Sequence, residues 1–180
     1  MNLRLRTPRL ELIAATVEHL QAELSDRVRF AALINARVPD EWPPPLNDDD
    51  SLKWFLAFLR DNPGAVGWGM WYFVLEDASG RIVIGNGGLK GTPDADGSVE
   101  IGYSVIEVHQ RKGYASEAVA ALIAWAFDHA EVTQVTAETY PEIDASIRVM
   151  EKNGLRFVGE GSEDGVIRYG ITRQQFDPHL

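Results

Sequence analysis

A basic segment containing a glycine lies between a predicted strand and a predicted apolar helix. Its residues are Gln110, Arg111, Lys112, Gly113, Tyr114 and Ala115. The first amides of a helix have no partner within the helix, and the helix dipole is positive at that end. A phosphate can therefore accept hydrogen bonds from these amides. Because Gly113 also lets a ligand approach the backbone closely, the segment predicts an anion site.

The charge of this segment is opposite to the charge of the chain as a whole. Arg111 and Lys112 place positive charge where phosphates would sit. The 180 residues include 17 basic and 27 acidic side chains, which gives a net charge of -10. Such an acidic chain makes a nucleic-acid partner unexpected. Taken alone, such a segment is more typical of a solvated basic turn before a helix, so its interpretation depends on the rest of the sequence.

Alternating strand and helix patterns surround the segment. Apolar and β-branched residues predict strands at 9–14, 68–75, 81–89, 98–105, 134–140, 157–160 and 166–172. Helical spacing and capping residues predict helices at 16–24, 26–36, 48–62, 115–130 and 144–153. A strand, a long helix and a further strand in succession require a right-handed crossover between parallel strands. The sheet is therefore expected to be mixed, because hairpins flank this crossover.

Several motifs resemble the GNAT family of N-acetyltransferases. Gln110, Gly113 and Ala115 match the family's pyrophosphate loop, which reads Gln or Arg, two residues, Gly, one residue, Gly or Ala. Further matches, in the family's order, are Glu100-Ile101-Gly102-Tyr103, Ser116-Glu117-Ala118 and residues 146–154. The opening Thr7-Pro8-Arg9-Leu10 is similar to the branch that includes ribosomal-protein N-terminal (alanine) acetyltransferases.

The resemblance implies a fold and an activity. Residues 1–180 would form a single GNAT-like domain of the α/β (α+β mixed) class. Its single mixed, largely antiparallel sheet of six to seven strands would be flanked by helices, with a central parallel pair splayed to admit the cofactor. The implied reaction moves an acetyl group from acetyl-CoA to a primary amine of a protein N-terminus or a small molecule, by direct attack with general-base assistance. The alternative is a sensor or structural module that binds acetyl-CoA without catalysis.

The resemblance also assigns residues to the cofactor. Those expected to contact acetyl-CoA are Val105, Ile106, Val108, Arg111, Lys112, Gly113, Tyr114, Ala115, Ser116 and Ser146. This chain has Ile143 where many members have a cofactor-binding Asn, and Met150 where many have a Tyr that acts as general acid. In the ribosomal-protein branch, a serine at the position of Ser146 is proposed to protonate the departing thiolate. Ser146 is thus a catalytic candidate, and helix capping is its alternative role.

The acceptor amine needs a base. An alkyl amine with a pKa of about 10.4 is almost entirely charged at neutral pH, and the charged form cannot attack a carbonyl. The resemblance implies that Glu100 and Glu138 are the strand carboxylates nearest to the acetyl group. Glu100 is the first candidate to accept that proton, directly or through a water, and Glu138 is the competing one. Either glutamate would have an ordinary role if it faced solvent or paired with a neighbour. Trp42 is a further candidate, as a wall of the acceptor pocket.

Composition limits the remaining classes. The chain has no cysteine, which excludes disulfides, a Cys nucleophile and Cys-ligated zinc. Its four histidines are isolated, with no two spaced to share one helix face, so no metal is expected. We expect no membrane segment and no export signal, and the default location is the cytoplasm. A homodimer is possible.

Overall fold

The computed structural model describes residues 3–45 and 47–176. Its strands are β1 Arg4–Arg6, β2 Leu10–Ala14, β3 Met70–Asp77, β4 Gly80–Leu89, β5 Ser98–Val105, β6 Gln134–Thr139, β7 Arg156–Glu160 and β8 Ile167–Thr172. Its helices are α1 Val17–Ser25, α2 Arg27–Ile34, α3 Asp49–Asp61, α4 Tyr114–Phe127 and α5 Asp144–Lys152. None of these helices is long and apolar enough to cross a membrane.

The strands form one sheet in the order β1-β2-β3-β4-β5-β6-β8-β7. Among these strands, β5 and β6 are parallel, and the other neighbours are antiparallel. The predicted mixed, largely antiparallel sheet is confirmed, with eight strands rather than six to seven. The strand that the sequence did not reveal is β1, where Leu5 pairs with Leu12 of β2. Its 3 residues are too few for a pattern of alternation to stand out.

The parallel pair separates midway along its length. Pairing between β5 and β6 runs from Ser98 with Gln134 to Glu100 with Thr136 and then stops. Beyond that point β5 continues to Val105 beside β4, and β6 continues to Thr139 beside β8. The expected splay is therefore present. We call the opening between residues 101–105 and 137–139 the central cleft.

Helices cover both faces of the sheet. Adjacent strand residues point to opposite faces, and β3 shows which helices lie on each. Trp71 packs against Trp125 of α4, with ring centroids 5.5 Å apart. The Tyr72 hydroxyl donates 2.7 Å to Glu23 of α1 on the other face. Since α4 contacts α5, and α1 contacts both α2 and α3, the two layers are α4–α5 and α1–α3.

Helix ends follow the capping residues seen in the sequence. The Thr16 side chain accepts a hydrogen bond from the His19 amide at the start of α1. Asp48 accepts from the Ser51 amide at the start of α3. Gly154, with φ of 79°, follows α5 in the left-handed conformation that favours glycine. These local signals fix where each helix begins or ends.

Candidate functional site

The first turn of α4 follows the end of β5 in the chain and is partly exposed. Gly113 is its N-cap residue with φ of 83°, and no side chain of residues 3–45 or 47–176 caps the helix there. The first backbone bond of α4 runs from the Glu117 amide to the Gly113 carbonyl. The preceding amides, those of residues 114–116, have no backbone acceptor in the described part of the chain. They are the unpaired donors that an anion at a helix start would use.

The residues before α4 divide into buried and exposed groups. Val105 and Ile106 are 6% and 1% exposed, so only their backbone can face a ligand. Val108 is 53% exposed. Arg111 and Lys112 are also exposed, and Arg111 has a left-handed φ of 60°. The Lys112 ammonium donates 2.8 Å to the Val108 carbonyl, which folds its side chain over the turn.

Arg9 holds this turn from the side, a role that the sequence did not reveal. Its guanidinium donates 2.6 Å to Glu117 through Nε and 2.9 Å to the Lys112 carbonyl through Nη1. It also lies 4.5 Å from the centroid of the Tyr114 ring. A Cβ on Gly113 would lie 3.3 Å from Arg9 Nη2. The Thr7-Pro8-Arg9-Leu10 motif was visible as a family signature, but its contact with α4 was not.

Glu117 is the carboxylate that accepts hydrogen bonds from Arg9. Burial raises its pKa, but hydrogen bonds from Thr7 and Arg9 outweigh that effect and hold the pKa below its ordinary value. The Thr7 hydroxyl and the Arg9 amide donate to Oε1 at 2.6 Å and 2.8 Å. Glu117 is thus a fixed anion in the first turn, and its charge is directed toward Arg9.

Ser146 contacts Tyr103 across the central cleft. The Tyr103 hydroxyl lies 3.0 Å from the Ser146 carbonyl oxygen and 3.2 Å from Ser146 Oγ. Ser146 is not the helix cap, because Ile143 holds the N-cap position of α5 without a side-chain hydrogen bond. Met150, one turn further along α5, is fully buried. Among the candidates on α5, Ser146 therefore supplies the hydroxyl at the cleft.

Glu100 lies at the closed end of the central cleft. It belongs to the last parallel pair and forms an ion pair with Lys90. Tyr103 is three residues further on and contacts α5, so Glu100 points to the opposite face, the one that carries α1–α3. There it lines an open depression of about 400 Å³ together with Asp94, Thr136 and Arg168. Its side chain is 26% exposed.

Glu138 is more fully engaged than Glu100. Its carboxylate accepts 2.8 Å from Arg168 Nε, 3.0 Å from the Ser162 amide and 2.6 Å from the Ser162 hydroxyl. Its side chain is 9% exposed. Burial raises its pKa, but the bonds from Ser162 and Arg168 prevail and lower it. These contacts disfavour the uptake of a further proton.

Trp42 does not line an open pocket. It is 8% exposed and packs in the core beside Phe30 and Tyr72. Its indole nitrogen donates 2.9 Å to Glu23, which also accepts from Tyr72. Burial raises the pKa of Glu23 to about 7, although these two hydrogen bonds act in the other direction. The expectation that Trp42 forms a wall of the acceptor pocket is therefore wrong, and its side chain belongs to the core.

Comparison with known proteins gives one consistent family. The profile described as "Acetyltransferase (GNAT) domain" matches residues 2–156. The chain is 31% identical over 153 residues to "Uncharacterized N-acetyltransferase YjdG" of Bacillus subtilis (strain 168), covering 84% of this chain and 88% of that protein.

Solved structures share the fold at lower identity. The RimL ribosomal L7/L12 alpha-N-protein acetyltransferase in complex with Coenzyme A has a TM-score of 0.65 and 18% identity, covering 94% of this chain and 98% of that one. The ribosomal-protein-S5-alanine acetyltransferase from Vibrio fischeri has a TM-score of 0.65 and 18% identity, with coverage of 98% and 100%. These two structures show the shared fold. The match to the family profile and the identity to the Bacillus subtilis relative establish that the chain belongs to the GNAT family and is an N-acetyltransferase.

Proposed function

We propose that this enzyme transfers an acetyl group from acetyl-CoA to a primary amine, on a protein N-terminus or a small molecule, by direct attack. The observation that carries the proposal is the central cleft itself. It opens between the two strands of the parallel pair, with the free amides of α4 beyond its mouth and Glu100 at its closed end. A thioester arm lying in this cleft would run from the phosphate-binding turn toward the carboxylate.

The turn before α4 fits the diphosphate of acetyl-CoA. The amides of residues 114–116 supply unpaired donors, and the exposed Arg111 and Lys112 supply positive charge. Gly113 leaves the approach to these donors free of a side chain. The backbone of Val105 and Ile106 would border the arm, while the exposed Val108 offers an apolar contact at the rim. Bound there, acetyl-CoA supplies an activated acetyl group.

Glu100 is proposed to remove the proton from the acceptor ammonium, directly or through a water. At a pKa of about 10.4 only about one amine in 2,500 is neutral at pH 7, so base assistance matters. The existing ion pair with Lys90 is the kind of contact that an acceptor ammonium would make with this carboxylate. The open depression around Glu100 gives an acceptor access from the face opposite α4. Ser146 is proposed to donate a hydrogen bond to the sulfur as the C–S bond breaks.

The test is the pH profile of kcat/KM for wild type and Glu100→Gln. General-base loss typically costs about a hundredfold to ten-thousandfold in rate, and the loss should shrink as rising pH supplies neutral amine. Glu138→Gln serves as the matched comparison, since it removes a charge from the neighbouring strand. Wild-type rates in Glu100→Gln near pH 7 would refute the assignment, and a selective defect in Glu138→Gln would transfer it.

A second candidate function is acetyl-CoA binding without turnover. Ile143 and the buried Met150 support it, because they replace an amide and a phenol that many members of the family present to the cofactor. A sensor of this kind would bind acetyl-CoA tightly and release no thiol with any amine. The measurement of turnover therefore separates the two candidates.

A further inference from the structure

Tyr103 is the one phenol that the described part of the chain brings to the serine of the central cleft. It lies three residues beyond the last parallel pair of β5, where β6 has already turned away. From there its hydroxyl reaches α5 and contacts Ser146 at 3.0 Å and 3.2 Å. The contact thus crosses the opening in which the thioester arm would lie.

The two contacts fix the direction of both hydrogen bonds. A carbonyl oxygen can only accept, so the Tyr103 O–H donates to the Ser146 carbonyl. The second contact then uses the Ser146 O–H as donor and the Tyr103 oxygen as acceptor. A serine near a helix start otherwise tends to bond to a backbone carbonyl one turn back. Tyr103 instead draws the Ser146 hydroxyl toward the cleft.

The position of Tyr103 is built into the sheet. Gly87 of β4 lies opposite it in the register. A Cβ on Gly87 would come within 2.9 Å of Tyr103 Cβ and 2.7 Å of the Phe73 ring. Glycine at this position therefore leaves the space that the tyrosine occupies. A larger residue at position 87 would have to displace the Tyr103 side chain.

Tyr103 also remains a hydrogen-bond donor across the working range of pH. Burial raises its pKa to about 12, although the Ser146 bond acts to lower it. A thiol in water has a pKa of about 8.5. The departing thiolate is therefore much less basic than this phenolate, and the phenol keeps its proton while the sulfur carries the charge.

We propose that Tyr103 positions Ser146 in the reaction: its O–H donates to the Ser146 carbonyl and its oxygen accepts from the Ser146 O–H. These two bonds hold the Ser146 hydroxyl at the cleft, where it turns to donate to the sulfur of coenzyme A as the sulfur gains charge. This inference rests on the proposed acetyl transfer and on the role of Ser146 in it. When the C–S bond breaks, its electron pair goes to sulfur, and Ser146 stabilises that charge without losing its proton. The proton from the amine goes to Glu100 or water. Tyr103 touches no reacting atom and is a positioning residue.

The experiment compares Tyr103→Phe, Ser146→Ala and the double variant. Phenylalanine keeps the ring and removes only the oxygen. We expect kcat to fall about tenfold in Tyr103→Phe, because the free energy of one hydrogen bond to a charged group corresponds to a factor of about that size. KM for acetyl-CoA should stay within about twofold of wild type. The double variant should be no slower than Ser146→Ala, because Tyr103 acts only through the Ser146 hydroxyl, which Ser146→Ala already removes. Tyr169→Phe is the control, since this buried tyrosine has no hydroxyl bond in the described ranges.

A binding measurement tests the same idea without turnover. Calorimetry with CoA and desulfo-CoA at pH 9.5, above the thiol pKa of about 8.5, should show a loss of about tenfold for CoA in Tyr103→Phe. Desulfo-CoA, which lacks the sulfur, should bind the variant as well as it binds wild type. Three outcomes would overturn the role of Tyr103 and leave the role of Ser146 intact. They are equal losses of affinity for both ligands, additive losses of kcat in the double variant, and wild-type kcat in Tyr103→Phe beside a lowered kcat in Ser146→Ala. Wild-type kcat in Ser146→Ala would overturn the role of Ser146 as well.

Discussion

Glu23 is an acidic residue whose contacts serve the fold rather than the reaction. Its carboxylate is shared by the Tyr72 hydroxyl and the Trp42 indole, which joins α1 and the loop after α2 to β3. Burial among aromatic rings outweighs these two bonds and raises its pKa from 4.5 to about 7. A buried carboxyl of this kind prefers to hold its proton. Glu23 should therefore couple stability to pH.

The sign of that coupling follows from the two pKa values. Because the folded-state pKa of about 7 lies above the unfolded value of 4.5, the contribution of Glu23 to stability is full below pH 4.5 and is lost as pH rises through 7. Relative to wild type, Glu23→Gln should thus gain stability between pH 4.5 and 7.5, by at most about 3 kcal/mol. Urea unfolding of both proteins at several pH values measures this difference.

The control for this measurement is Glu18→Gln. Glu18 is on the same helix, with its side chain 55% exposed and paired to Arg29. Its replacement should leave the pH dependence close to that of wild type. A stability difference between Glu23→Gln and wild type that stays constant from pH 4.5 to 7.5 would contradict a raised pKa at Glu23.

At the scale of elements, the start of α4 is the feature on which cofactor binding depends. Gly113 has φ of 83°, a conformation that a β-branched residue rarely adopts, and a Cβ there would crowd Arg9. We expect Gly113→Val to weaken acetyl-CoA binding at least about tenfold, since a lost charged hydrogen bond costs about that much. Calorimetry on the folded variant measures the affinity.

The matched control for α4 is Gly64→Ala. A Cβ on Gly64 meets no atom within 4 Å, so affinity for acetyl-CoA should not change. Unchanged affinity in a correctly folded Gly113→Val would remove the turn before α4 from the cofactor site. Circular dichroism and thermal unfolding establish that each variant is folded.

The elements themselves were largely readable from the sequence. The limits of β5 were predicted as observed, and the caps of α1 and α3 come from local residues. The contacts that complete the site were not readable in this way. Arg9 meets Glu117 across 108 positions of sequence, and Tyr103 meets Ser146 across 43. Local periodicity carries no information about such pairs, because they depend on which strands become neighbours.

At the scale of the whole molecule, the net charge is opposite in sign to the charge of the turn that is proposed to bind the cofactor. The chain has a net charge of -10, while the turn before α4 is basic. An acidic exterior favours the approach of cationic acceptors, and the basic turn favours the anionic donor. This arrangement suits an enzyme that must bring a charged amine and a diphosphate together. A homodimer stays a prediction, which light scattering of the purified protein can test.

The central claim is that this chain transfers acetyl groups to amines, and turnover tests it most directly. Purified protein is mixed with acetyl-CoA and a panel of amines that contains peptide N-termini, polyamines, aminoglycosides and small amino compounds. We expect thiol release that depends on at least one amine. Mass spectrometry should show a product heavier than that amine by about 42 Da, the mass gained when an acetyl group replaces a hydrogen. Tight binding of acetyl-CoA without amine-dependent thiol release across the panel would contradict the account and favour a sensor.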